Sequence, residues 1–256
     1  PLVLITQSPS SSLNVYIKEN LDVEILEIIV NENENLDFVR EIDIAQNSKV
    51  VYNKLQLLNS TSNLEYSYKS DLSKEARLNI NLFEFGSKQS TNLFNTDMNK
   101  EESSFIINGL IRPLEQGVIN NKILTTHNNK STYSNIDFKH ILDNSTKAIF
   151  DAKSIVNKNA LYASAFQNSN TILLSDEATI FANPHLEINI DELKASHGAT
   201  TGTLDEDELF YLQSRGIEEK KAEKILLSAI ETVIYDKISD KKLKEYIQGL
   251  VGEFHE

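Results

Sequence analysis

Cysteine is absent from the 256 residues, and glycine occurs only eight times. Without cysteine there is no disulfide framework, and no thiolate metal site can be built from this chain alone. With so few glycines, tight turns must rely on Asn and Asp, which tolerate left-handed backbone. No apolar run approaches the length of a membrane span, and no signal-peptide pattern is read at the start, where residue 1 is proline. Lys and Arg number 25 against 38 Asp and Glu, for a net charge of −13. A nucleic-acid surface needs clustered basic side chains, so that partner is excluded. There is no Gly-x-x-x-x-Gly-Lys phosphate loop, and Ser175-Asp176-Glu177 is not a Gly-x-Ser-x-Gly nucleophile elbow.

What is present is a globular composition, 40% hydrophobic, in a chain long enough to bury a sizeable core in one or two domains. Residues 1–190 read as a series of short β segments. They include 2–6, 13–17, 21–30, 38–44, 50–58, 64–68, 76–85, 104–110, 118–125 and 133–141, and then 148–151, 160–165, 171–174, 178–181 and 186–190. Several alternate: Val15 and Ile17, then Val23 and Ile25, place apolar groups on one face at period two. Asn, Ser and Asp clusters separate the segments. The polar stretches 86–104 and 127–132 read as loops. Nothing alternates with the strands as a doubly wound fold requires. The pattern fits either a sandwich or barrel, or a stacked β-solenoid, and no repeat period emerges from it.

The character changes after Lys194-Ala-Ser-His-Gly-Ala-Thr-Thr-Gly202, a run of small residues with one histidine that reads as a tight turning segment. Asp205 then opens a helix, with Glu208 three residues on as a capping box and Gly216 suited to its C′ position. Ala222, Ile225, Leu226, Ala229, Ile230, Val233 and Ile234 form a stripe at helical spacing. Ser239 is read as the cap of a last helix, with Leu243, Ile247, Leu250 and Val251 on one side. The division is therefore a β core over 1–203 and a helical region over 204–256.

Candidate chemistry is sparse. His127, His140, His185 and His255 have no partner at metal-ligand spacing and read as packing or surface residues. Asp205, Glu206, Asp207 and Glu208 read as carboxylates that satisfy a helix N-terminus. Glu24, Glu27 and Asp43 are scattered acids with no evident pairing, which weighs against the alternative of a β-helix carbohydrate-active enzyme. Arg215 reads as a structural helix end.

His197-Gly-Ala-Thr, Gly202, Leu204-Asp-Glu-Asp-Glu-Leu-Phe-Tyr-Leu212 and Ser214-Arg-Gly-Ile217 together closely resemble the C-terminal signature of the SufD family, scaffolds of the SUF iron–sulfur cluster assembly system. The resemblance extends upstream through Lys147-Ala-Ile-Phe-Asp-Ala-Lys153, Leu173-Leu-Ser-Asp176 and Pro184-His-Leu-Glu-Ile188, and its specific part covers about residues 127–234. His127 matches a histidine of the family pattern. The paralogous SufB pattern carries glutamate after the histidine, where this chain has Gly198.

The resemblance implies a mainly β fold, a right-handed parallel β-helix with a small C-terminal helical region. It implies a non-catalytic scaffold that pairs with a SufB-like chain at the end of the β-helix and docks a SufC-like ATPase on its helices, with homodimers also allowed. It makes His197 the metal- and cluster-handling residue at the SufB interface, with no cofactor bound by this chain alone and iron or a cluster held there transiently. Many members carry cysteine where this chain has Ala195, so thiolates come from the partner, and a degenerate paralogue that only stabilises its partner is a further alternative. The implied location is cytoplasmic or a plastid-type organelle. Relatives also carry an N-terminal helical region that this sequence lacks.

Overall fold

The computed structural model of the chain describes residues 1–6, 8–31 and 34–254. The strands are β1 (Leu2–Thr6), β2 (Ser10–Ile17), β3 (Asp22–Asn31), β4 (Asn35–Ile44), β5 (Lys49–Leu58), β6 (Asn63–Leu72), β7 (Arg77–Gly86) and β8 (Gln89–Met98). They continue as β9 (Ser104–Arg112), β10 (Val118–His127), β11 (Tyr133–Leu142), β12 (Lys147–Val156), β13 (Ser164–Leu173), β14 (Thr179–Ile188) and β15 (Lys194–Gly202). Three helices follow: α1 (Glu206–Ser214), α2 (Glu219–Tyr235) and α3 (Lys241–Phe254). Odd strands stack in one sheet and even strands in a second, every neighbour parallel. This is a parallel β-helix of about seven turns. The family resemblance had implied this architecture, and the sandwich and barrel alternatives fall away.

Each coil contributes two strands, and registered residues are 27 to 31 positions apart over most of the stack, as in Asp22 with Lys49 and Tyr133 with Ser164. Alternation decides what enters the lumen. In β4, Leu36, Phe38, Arg40, Ile42 and Ile44 are buried while their neighbours face outward. Stacking places like residues above one another, so the lumen fills with aliphatic and aromatic side chains from both sheets. The two remaining sides are corners. At the corners leading from even to odd strands, Asn47, Glu75, Glu102, Ser131 and Tyr162 all take positive φ. Each donates its N–H to a carbonyl of the next corner: Lys74, Glu101, Lys130, Leu161 and Glu192 respectively. Left-handed backbone is thus supplied by Asn at some corners, as expected, but also by Glu, Ser and Tyr, because the inter-corner hydrogen bond fixes the conformation regardless of propensity.

Helices α2 and α3 lie on the outer face of the odd-strand sheet. Leu55, Leu57, Phe83 and Phe85 meet Ile234, Tyr235, Leu243 and Ile247 there, and the Phe83 and Tyr235 rings stack at 5.1 Å. Strands β5 and β7 are consequently buried on both faces over most of their length.

Several local expectations change. Gln89–Met98 is a full strand and not a loop: Ser90, Asn92 and Thr96 point inward beside Phe94 and Met98, and their polarity masked the alternation. Segments 160–165 and 171–174 are the end of a corner and a single strand, β13, and 178–181 with 186–190 form the single strand β14. The buried face of α2 carries Ala222, Leu227, Ile234 and Tyr235, rotated from the expected stripe so that Ile225 and Val233 are exposed. Asp240, not Ser239, caps α3, accepting from the amides of Lys242 and Leu243. His255 lies outside the described residues.

The lumen of the N-terminal coils also holds charge. Arg40 pairs with Glu27 at 2.6 Å, and Lys54 with Glu84 at 2.7 Å, all four essentially inaccessible. Tyr52 and Tyr66 each donate to Glu27 Oε2. Lys54 also donates to Gln56 and Asn92, and Glu84 accepts from Asn92 and Asn121. Buried charge is tolerable only when paired and hydrogen-bonded in this way.

Candidate functional site

The stack ends at β14 and β15, each with one neighbour in its sheet. Lys194 N–H donates to the Ala163 carbonyl at 2.9 Å, so its backbone faces β13. The two-residue alternation of a parallel strand then turns the N–H and C=O groups of Ala195, His197, Ala199 and Thr201 toward the open side. At β14 the amides of Thr179 and, just beyond the strand, Asn189 donate inward, to the carbonyls of Thr146 and Val156. Ile180, Ala182, Pro184, Leu186 and Ile188 therefore face the open side. Pro184 has no N–H to offer there, which costs the fold nothing and blunts that edge.

The expected tight turn over 194–202 is instead a regular edge strand in unbroken register with β13. Neither Gly198 nor Gly202 has positive φ. A Cβ on Gly198 would find its nearest neighbour, Asn168 Oδ1, at 3.8 Å, and one on Gly202 would meet nothing within 4 Å. The glycines are not required by the backbone. They leave a shallow edge with little side chain in front of it.

His197 is exposed on this terminal strand. Its register partner is Gln167, which is buried in the lumen and donates to Ser154 Oγ at 2.8 Å and to the His185 carbonyl at 3.1 Å. By alternation, the His197 side chain belongs to the lumen face at the mouth of the solenoid. On the outer face beside it, Asn168 donates to Asp137 and Asn170, and Asn170 donates to Thr200.

The other histidines are elsewhere. His127 is fully buried between Thr132 Oγ1 at 2.9 Å and Ser134 Oγ at 2.8 Å, and burial pushes its pKa down to about 4. His140 lies in the lumen between Phe138 and Phe150, with Nδ1 3.4 Å from Ser169 Oγ and Nε2 unpartnered. Burial pushes it down to about 3. Both are neutral packing residues, as expected. His185 is exposed on β14.

Asp205 caps α1, accepting from the amides of Asp207 and Glu208, and Gly216 follows Arg215 with φ +84°. Asp176, Glu206 and Glu223 line a surface cleft, but among the described residues no three His, Cys, Asp or Glu side chains are placed to hold a metal ion. Glu24, Glu27 and Asp43 diverge. Glu24 bonds Asn53 on the outside of one sheet, Glu27 is sealed in the lumen, and Asp43 lies on the outside of the other sheet. They form no convergent carboxylate pair.

Sequence reasoning missed the interior Lys54–Glu84 and Arg40–Glu27 pairs. Lys54 stands in the alternation Val50, Tyr52, Lys54, Gln56, Leu58, and a charge at that position was the available signal.

The last coil of the solenoid thus offers two unpaired strand edges, with His197 exposed on one and His185 on the other. The family model described as "SUF system FeS cluster assembly, SufBD core domain" matches residues 6–230. The chain belongs to the SufBD family of iron–sulfur cluster assembly proteins. It is 26% identical over 238 residues to the iron-sulfur cluster assembly protein SufD of Escherichia coli (strain K12), an alignment covering 92% of this chain and 56% of that protein. It is 26% identical over 254 residues to SufD of Plasmodium berghei (strain Anka), covering 94% of this chain and 18% of the relative. The chloroplastic protein ABCI7 of Arabidopsis thaliana is 33% identical over 115 residues, covering 43% of this chain and 24% of that protein. The chain thus spans about half or less of the length of these relatives. No helix among the described residues is long and apolar enough to cross a membrane.

Proposed function

We propose that this chain is a non-catalytic, SufD-like scaffold subunit that pairs through the open end of its solenoid with a SufB-like chain and docks a SufC-like ATPase on its helical region. The observation that carries the reading is the terminal strand β15, an unpaired edge with His197 exposed at its centre. An edge with free backbone groups gains affinity from an added strand, and small side chains let that strand approach.

His197 supplies one neutral nitrogen ligand to iron or to a nascent cluster, which is cargo here. Imidazole replaces thiolate in some iron–sulfur centres. Ala195 offers no sulfur, so the remaining ligands come from the sister chain. Phe210 and Tyr211 on α1 are 70% and 57% exposed, beside Glu206, Asp207 and Glu208. They give the ATPase an apolar contact with an acidic rim. ATP-driven movement there opens the sister interface to load and release the cluster. The cytoplasm or a plastid is the compartment, the latter in line with the chloroplastic relative.

The chain purified with its SufB-like and SufC-like partners co-elutes with them, and His197→Ala lowers cluster formation while leaving the complex and its melting temperature unchanged. Elution apart from both partners rejects the reading. A second reading, a subunit that only stabilises its partner, draws on Ala195. It requires His197→Ala to reconstitute clusters at the wild-type rate.

A further inference from the structure

The corner between β12 and β13 departs from the others. It spans residues 157–163, seven in all, whereas 99–103 and 128–132 have five. In a solenoid, insertions into one repeat gather on a working face. Leu161 and Tyr162 in this corner are 38% and 66% exposed. Corresponding positions in the preceding corners hold Asn47, Glu75, Glu102 and Ser131, all polar.

Tyr162 sits at φ +61°. That region is unfavourable for a bulky L-residue, and asparagine or glycine occupies it with far less strain. Its ring gains little from burial within this chain. Tyr162 N–H donates to the Glu192 carbonyl at 2.8 Å, which places the corner directly beneath the last one. Tyr162 and Ser164 share a 450 Å³ surface cleft with Glu192, Leu193 and Lys194, the residues that lead into and open β15. Tyr133, whose register partner is Ser164, is also partly exposed and lies 6.0 Å from the Phe166 ring. A solvent-facing aromatic at positive φ, sharing a cleft with Leu193 and the start of an open strand edge, fits an anchor for whatever covers that edge.

We propose that the Leu161–Tyr162 corner is the lateral anchor of the sister-chain interface, with the Tyr162 ring inserted into the SufB-like partner as that partner's strand adds to β15. The proposal rests on the pairing proposed above, and its occupant follows from continuity between the cleft and the β15 edge. A second copy of this chain fits less well, because two molecules of charge −13 repel.

The test is Tyr162→Asn in the full chain, read in two ways. Thermal unfolding of the isolated chain shifts up by about 3 °C, because the strain is relieved. The dissociation constant for the SufB-like chain, measured by titration calorimetry, rises about tenfold. Tyr162→Phe, which keeps the ring, retains wild-type affinity. A Tyr162→Asn variant that binds the SufB-like chain as tightly as wild type overturns the proposal, as does one whose only change is a lowered melting temperature. Concentration-dependent self-association lost in Tyr162→Asn, with SufB-like binding intact, overturns the assigned occupant. Failure of the wild-type chain to bind at all rejects the pairing itself and is read separately.

Discussion

The N-terminal coils and the last coil are built on one plan and differ in what they enclose. Between β3 and β8 the lumen is sealed, and its charges are matched: Arg40 with Glu27, and Lys54 with Glu84. At β14 and β15 the same inward positions hold small or half-buried residues, and His197 reaches solvent. Closed coils hold their polar groups through neighbours within the chain. The terminal coil has backbone groups with no neighbouring strand within the described residues. Substitutions should therefore show a gradient of effect on stability from the sealed coils to the open end.

The steepest point of that gradient is the Lys54–Glu84 pair. Lys54→Met leaves the Glu84 carboxylate buried without its cation, and the expected loss is about 4 kcal/mol in urea unfolding. The double variant Lys54→Met, Glu84→Gln recovers much of it. If the single variant costs no more than a surface change, the lumen is wetter than its packing indicates.

The pH response is next. His127 and His140 have folded pKa values pushed below the ordinary 6.5, to about 4 and about 3. The unfolded chain therefore binds protons near pH 6.5 while the folded chain does not. Stability is full above pH 6.5 and declines as pH falls toward 4, by about 1.4 kcal/mol per unit for each histidine. His140→Leu flattens this slope and is worth about 3 kcal/mol at pH 4.5 relative to pH 7. Parallel slopes for variant and wild type would mean that His140 already accepts a proton in the folded state.

Gly109 gives a smaller, steric effect. A Cβ there would stand 2.6 Å from the Phe138 ring, so Gly109→Ala forces that aromatic to shift. The expected cost is about 2 kcal/mol, seen as a lower unfolding midpoint. At the shallow end, His197→Ala changes stability by no more than about 0.5 kcal/mol, whatever it does to cluster formation.

The fold was legible in part. Alternation located most strands, and the signature around His197 carried the architecture. The coil period was not read, although Asn99, Asn128 and Asn157 recur 29 residues apart and form a side-chain ladder at one corner, Asn157 donating to Asn128 and Asn128 to Asn99. Strand β8 was hidden because Ser90, Asn92 and Thr96 face inward. In parallel coils a polar inward residue is tolerated when the next rung supplies its partner, as Ser70 does for Thr96, and such partnership is invisible to a local window. Strand β15 was hidden for the opposite reason. Its small side chains carry no alternation, and its strand character comes from pairing with β13. His197 was found through resemblance, while its exposure on an open edge follows from being on the last rung.

Pro184 has a consequence beyond its own strand. Stacked parallel strands with free ends are the geometry of fibrils, and β14 and β15 present such an end. With one amide missing from the middle of β14, this end cannot grow as a two-sheet stack of identical copies, because half of each new rung would lack a donor at its centre. The imino ring thus acts as a brake on self-templated polymerisation, while the neighbouring strand β15 keeps all its amides.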